Sequence, residues 1–172
     1  MNIVLIGAGN VSVHLGQMLG KKGHTIVQVY NRSASGKKLA KKLACPFTNS
    51  VKEIFTDADV YIIAIADESI VEFLKTISFN PSLIVHTSGS TGLNVFPERM
   101  KNTGVLYPLQ TFSKENKKTP EIVPFCIEGN GKNALQSIKK LANSLSASVY
   151  HLNTEQRSIV HLSAVFVNNF PN

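Results

Sequence analysis

The sequence predicts an α/β fold, a doubly wound and mainly parallel sheet, on three observations. Residues 2–6 are a short apolar run without charge that stops at Gly7, as a buried parallel strand does on meeting a tight turn. From Asn10 onward Val11, His14, Leu15, Met18 and Leu19 recur at helical spacing, and Gly23 closes the pattern. Residues 25–30 then form a second β-branched strand, so strand, glycine turn, helix and strand occupy about thirty residues.

Glycine at positions 7 and 9 suits a turn with unusual backbone angles, and a Cβ there would hold a pyrophosphate away from the main-chain amides. Gly7, Ala8, Gly9, Asn10 and Val11 are therefore candidate cofactor-binding residues. The third position of the pattern is Ser12, which implies either looser packing of helix on strand or a hydroxyl available to phosphate. The second strand ends Tyr30-Asn31-Arg32-Ser33, without the carboxylate that would accept both adenosine ribose hydroxyls and repel a 2′-phosphate. Arg32 can stack on adenine and pair with phosphate, and Asn31 and Ser33 add neutral donors. The next helix, over residues 35–43, places Lys37 and Lys38 in its first turn, where the helix dipole disfavours cations and a bound anion offsets that cost. Lys37 joins the candidate set, and NADP rather than NAD is the expected cofactor.

Composition bounds the class. A chain of 172 residues with 43% hydrophobic residues can bury one sizeable core and is not a disordered tail. No apolar run approaches the length of a membrane span, and the first strand begins without a signal-like segment, so a cytoplasmic protein is expected. Cys45 and Cys126 lie far apart without metal spacing and read as buried free thiols; no metal is expected. The net charge of +7 raises nucleic acid as a partner. The lysines come as small pairs without interleaved aromatics, so a positive field for a phosphate-rich cofactor, or solubility, is preferred and no nucleic-acid partner is expected.

Further along, residues 45–47 read as a very short strand and 51–55 as a brief helix. Residues 60–65 are the most apolar strand, central in the sheet, and it ends in the small residues Ala64-Ile65-Ala66, which would let a cofactor lie close. Asp67 or Ser69 could cap a helix over 70–77. A strand over 82–86 runs into Thr87-Ser88-Gly89-Ser90-Thr91-Gly92. That loop is either a wall of the nicotinamide and substrate site, with Thr87 and Ser88 as donors to a carboxylate or carbonyl, or a set of caps for a helix over 93–100. Over 104–112 a strand runs into a proline-bent turn, and a lysine-rich loop over 114–120, a strand over 124–128, a helix over 133–145 and a strand over 148–152 follow.

The last helix starts at Asn153 or Thr154 and runs to about Phe170. His161 and Asn168 lie seven residues apart, two turns, and share a face. A histidine there can protonate a carbonyl or imine as hydride arrives and an asparagine can orient the substrate; the alternative for His161 is a hydrogen-bonded packing residue. His86, at a strand's carboxyl end, is the best of the other histidines.

Gly7-Ala-Gly9-Asn10-Val11, Asn31-Arg32-Ser33, His86-Thr-Ser-Gly89, Tyr107-Pro-Leu-Gln-Thr-Phe112 and His161-Leu-Ser-Ala-Val-Phe-Val-Asn168 together resemble an uncharacterised group of Rossmann-like NADP oxidoreductases. These are related to pyrroline-5-carboxylate reductase, to 6-phosphogluconate and β-hydroxyacid dehydrogenases, and to deazaflavin-linked NADP reductases. The resemblance spans essentially the whole chain. It implies a Rossmann-like dinucleotide domain over residues 1–152, and over 153–172 the first helix of a helical domain that builds a homodimer and closes the substrate site. Most of that helical domain is expected to be missing here. His161 falls in the region where related dehydrogenases carry a catalytic lysine and asparagine, with Asn168 beyond it. The expected activity is hydride transfer between NADP and a small carbonyl or imine compound, with His161, Asn168 and Ser88 as catalytic candidates. A nucleotide-binding module without turnover is the alternative. A last helix cut off from its partners exposes Ile159, Leu162, Val165 and Phe166, so it should pack back on its own sheet or against a second copy.

Overall fold

Strand β1 (Asn2–Ile6), helix α1 (Asn10–Lys21) and strand β2 (Thr25–Tyr30) form the opening unit, and α2 (Ala34–Leu43) returns the chain to β3 (Phe47–Thr48). The elements β4 (Val60–Ile63), α3 (Ile70–Thr76), β5 (Ile84–His86) and β6 (Thr103–Pro108) follow. The chain then runs through β7 (Phe125–Gly129), α4 (Lys132–Leu145), β8 (Val149–His151) and α5 (Thr154–Asn169). The computed structural model describes residues 1–112 and 122–169, without the side chains of Asn168 and Asn169. The lysine-rich loop expected over 114–120 and the expected helix end at Phe170 lie outside the described residues.

One sheet of eight strands runs in the order β3-β2-β1-β4-β5-β6-β7-β8. All neighbours are parallel except β6 and β7, which pair antiparallel from Gly104 opposite Gly129 to Pro108 opposite Phe125. The fold class read from the sequence is the one observed: α/β and doubly wound, with the last helix leaving the sheet edge. Alternate residues of β1 serve opposite faces. Ile3 and Leu5 join Leu15 and Leu19 of α1, Leu39 of α2 and Ile138 and Leu141 of α4. Val4 and Ile6 join Ile70, Phe73 and Leu74 of α3 on the other face. Both faces are covered, so the strands are continuous apolar runs rather than alternating ones. Each fully buried leucine or isoleucine contributes about 1.5–3 kcal/mol.

Chain order reverses between β1 and β4, which pair in parallel while β2 and β5 lie outward on either side. Ligands of open α/β sheets sit at the carboxyl ends of the strands at such a point. One sequence expectation is corrected nearby. The helix expected over 93–100 is a single 3-10 turn, Leu93–Val95, because Phe96 is extended (φ −78°, ψ 130°) ahead of Pro97, whose ring disfavours a helical residue before it. The strand that the sequence runs into a proline-bent turn ends at Pro108, and the Leu109 amide still donates to Pro124 O at 2.8 Å.

Candidate functional site

A cavity of about 890 Å³ lies over the switch point, and its lining draws on three segments. These are Gly7 to Val11 after β1, Tyr30 to Ser33 after β2, and Ala64 to Ser69 after β4. Gly7 is in the left-handed region (φ 110°), and a Cβ on it would fall 2.2 Å from the carbonyl oxygen of Ala64. It is glycine because two parallel strands end this close. A Cβ on Gly9 would meet nothing within 4 Å, so the volume a side chain would fill is open space at the mouth of α1. Gly9 is the N-cap of α1 and supplies no side-chain acceptor, which leaves the first-turn amides to a ligand. The residues present therefore fit a diphosphate.

Ser12 settles one alternative left open by the sequence. It is fully buried, and its hydroxyl donates to Ala64 O at 3.3 Å, so it ties α1 to the end of β4 and is not available to phosphate. Asn10 is committed as well: its side-chain amide donates to Phe112 O at 2.9 Å and straps the glycine turn to the segment after β6. His14 stacks on Phe112 beneath that strap, with ring centroids 4.6 Å apart.

At the far end of the cavity Asn31, Arg32 and Ser33 line the wall together with Ser35. The Asn31 amide donates to Ser33 Oγ at 3.0 Å and to Ser35 Oγ at 3.1 Å, a polar knot at the start of α2. Arg32 is exposed and has no hydrogen bond or ion pair among the described residues. Lys37 is exposed on α2 and is not part of the cavity wall. Ala64, Ile65, Ala66 and Thr87 do line it.

A second cavity, about 500 Å³, adjoins the first and shares Val11, Asp67 and Thr87 with it. Ser88, Gly89, Tyr107 to Thr111 and, from α5, His161, Ala164 and Val165 complete its wall. The chain thus brings His161 to the loop after β5 and adds Tyr107, which the sequence reading did not name as a site residue. The Tyr107 hydroxyl lies 2.8 Å from His161 Nδ1, with the rings edge to face. Burial pushes the Tyr107 phenol up to about 12. Asn168 belongs to α5, but its side chain lies outside the described residues.

Two candidate donors are corrected. The Ser88 hydroxyl donates to Asp67 Oδ2 at 2.6 Å and accepts from the Thr91 amide at 2.9 Å and the Ser90 amide at 3.2 Å. Its proton is engaged, so it shapes the loop instead of donating to a substrate. The Thr87 hydroxyl points back to Ile63 O at 3.3 Å. The cap expected from Asp67 or Ser69 is also absent: Ser69 makes no side-chain cap, and Asp67 receives the Ser88 and Ser90 hydroxyls instead.

Arg157 anchors the wall that α5 provides. It is completely buried, pairs with Glu128 of β7, and donates through its other terminal nitrogen to Thr91 O at 2.5 Å. Glu128 also accepts from the Thr154 amide at 3.0 Å, so one carboxylate fixes the start of α5. His86 is buried against Phe96 and accepts from the Ser88 amide at Nδ1. Burial and then the Arg157 charge push it down to about 4, which makes it a neutral packing residue below the loop. Cys126 is buried, and burial raises its thiol; Cys45 is half-buried, and both are free. Among the described residues no cluster of histidine, cysteine and carboxylate side chains could hold a metal ion, and no helix is long and apolar enough to cross a membrane.

Comparison with known proteins gives two family matches. A Rossmann-like domain matches residues 1–111, and a domain of unknown function, DUF2520, matches residues 123–172. No curated protein matches the chain in sequence. A Bacteroides fragilis crystal structure that carries the provisional name NADP oxidoreductase is 39% identical, with a TM-score of 0.92 over 98% of this chain and 67% of its own. The 1-pyrroline-5-carboxylate reductase of Streptococcus pyogenes is 17% identical, with a TM-score of 0.71 over 99% of this chain and 72% of its own. An imine reductase of Streptomyces aurantiacus is 11% identical, with a TM-score of 0.75 over 98% of this chain and 62% of its own. The last two show a shared fold. The chain spans 62–72% of the length of these three proteins.

Proposed function

The chain belongs to the Rossmann-like domain family, and from that premise we propose that it is an NADP-dependent oxidoreductase acting on a small carbonyl or imine compound. The observation that carries the reading is the pair of joined cavities: one has a glycine-lined helix start and an unengaged arginine, the other a histidine and a phenol. The provisional name of the Bacteroides fragilis relative points to the same cofactor.

The residues divide the work along the two cavities. The main chain from Gly7 to Val11 binds the diphosphate at the amino end of α1, and the void at Gly9 gives it room. Arg32 pairs with the 2′-phosphate, with Asn31 and Ser33 beside it. Ala64 to Ala66 and Thr87 form the floor toward the second cavity. When bound, the nicotinamide supplies or accepts a hydride. His161 donates from its ring N–H to the substrate heteroatom, and Asn168, two turns further along α5, orients the substrate. The walls from Leu109, Ala164 and Val165 limit water around the reacting groups. We also propose a domain division after residue 152, a reading supported by the change from sheet to helix at Thr154. We assign a homodimer on the apolar residues that α5 leaves exposed.

The test is oxidation of NADPH against a panel of cyclic imines, aldehydes and oxo compounds. Consumption with at least one of them is expected, abolished in His161→Ala. Tight binding of NADPH without oxidation across the panel would replace this reading with that of a nucleotide-binding module.

A further inference from the structure

We infer that Tyr107 is a positioning residue for His161: its phenol donates to Nδ1 and so fixes the single ring proton of the neutral imidazole on Nε2, while Gly89 leaves the space that this ring orientation needs. The inference deepens the proposed function and rests on its assignment of His161 to the substrate cavity.

Three observations meet at this ring. The Tyr107 oxygen is 2.8 Å from Nδ1, although the two residues are 54 positions apart and come from β6 and α5. The phenol is half-buried, and burial holds it in its protonated form, so its O–H needs an acceptor. Among the described residues the only hydrogen bond of that hydroxyl is the one to His161. With the phenol as donor, Nδ1 must be the acceptor and carries no proton. The reverse arrangement, Nδ1–H donating to the phenol oxygen, would leave the phenol proton without a protein acceptor among the described residues. Gly89 supplies the third observation: a Cβ there would lie 2.6 Å from both Cγ and Nδ1 of His161. Any side chain at position 89 would force the imidazole out of this position.

His161 Nε2 has no protein partner among the described residues, and the ring lines the second cavity. A histidine free to exchange tautomers offers a substrate heteroatom a donor only part of the time. One held by Tyr107 offers it always. Asp67 lines the same cavity, but its carboxylate is occupied by the Ser88 and Ser90 hydroxyls rather than by the imidazole. A tyrosine at the end of β6 is ordinary in sequence, and its role becomes visible only when α5 folds back over it.

The experiment is nitrogen NMR of the full chain with ¹⁵N-labelled histidine, the His161 signals assigned by loss in His161→Gln. In its neutral form the wild-type ring is expected to show an unprotonated Nδ1 and a protonated Nε2. Tyr107→Phe, which keeps the ring and removes only the hydroxyl, should draw the two nitrogen shifts toward each other as tautomers exchange. Gly89→Ala should do the same by displacing the imidazole, and both variants should bind NADP as the wild type does. With a turned-over substrate, Tyr107→Phe should lower kcat by about tenfold or more with little change in KM. A wild-type Nδ1 that carries the proton, or wild-type shifts in Tyr107→Phe, would overturn the inference. A held tautomer in a protein that oxidises NADPH with no substrate would overturn the proposed function and leave the hold standing. Turnover in a Tyr107→Phe protein with wild-type shifts would do the reverse.

Discussion

Gly7 and Gly9 sit two positions apart and are required for different reasons. At Gly7 the neighbouring strand forbids a side chain; at Gly9 nothing in the protein does, and only the proposed cofactor would. Gly7→Ala should therefore destabilise the fold by roughly 2–5 kcal/mol, since it adds strain at positive φ to a clash with Ala64. Gly9→Ala should change stability by less than about 1 kcal/mol yet weaken the cofactor severely. Thermal unfolding beside cofactor titration separates the two, and a Gly7→Ala protein of normal stability would count against the geometry. The glycine pattern itself was legible because it lies in local sequence. The fate of each hydroxyl was not: whether Ser12 and Ser88 face a ligand or a carbonyl of β4 and the Asp67 carboxylate depends on what a distant segment brings within 3.3 Å and 2.6 Å of them.

At the scale of elements, α5 is held at its start and at His161, and leaves an apolar stripe exposed. Arg157 pairs with Glu128 in a setting where the arginine side chain is fully buried and the glutamate 12% exposed. Removing one partner leaves an uncompensated buried charge, at a cost of about 3–5 kcal/mol. Arg157→Met is expected to show that loss in chemical unfolding, together with faster hydrogen exchange in residues 154–161. A loss below about 1 kcal/mol would mean the pair is solvated. No sequence signal marked this arginine, because periodicity places a charge near the start of a helix on its wet side. Sequence patterning did anticipate the apolar stripe of α5. Packing back on the sheet was one of its two expected outcomes, but Ile159, Leu162 and Phe166 are 60%, 56% and 55% exposed, and only Val165 turns partly into the second cavity. Burial against a second copy therefore predicts a dimer by sedimentation, dispersed by Leu162→Glu and Phe166→Glu. A wild-type monomer at micromolar concentration would contradict it.

For the whole molecule, the mainly parallel pairing follows from the alternation of strand and helix signals, which local sequence carries. The antiparallel β7 does not, since a short apolar strand reads the same in either direction. Stability should also depend on pH through His86. Its folded value, about 4, lies below the ordinary 6.5, so between those values the unfolded chain binds a proton that the folded one does not. Stability is then full above about pH 6.5 and falls by roughly 3 kcal/mol as pH drops toward 4, and His86→Phe should flatten that part of the profile. An unchanged slope in the variant would assign the acid sensitivity elsewhere. The account as a whole rests on a diphosphate held at the start of α1 with Arg32 choosing between the two dinucleotides. Calorimetric titration of wild type and Arg32→Ala with NADP and with NAD tests this most directly. The expected result is tighter binding of NADP by the wild type, a loss in Arg32→Ala of about 1.5–3 kcal/mol for NADP, roughly 10- to 100-fold, and little loss for NAD. Equal losses for both, or no heat with either, would contradict it.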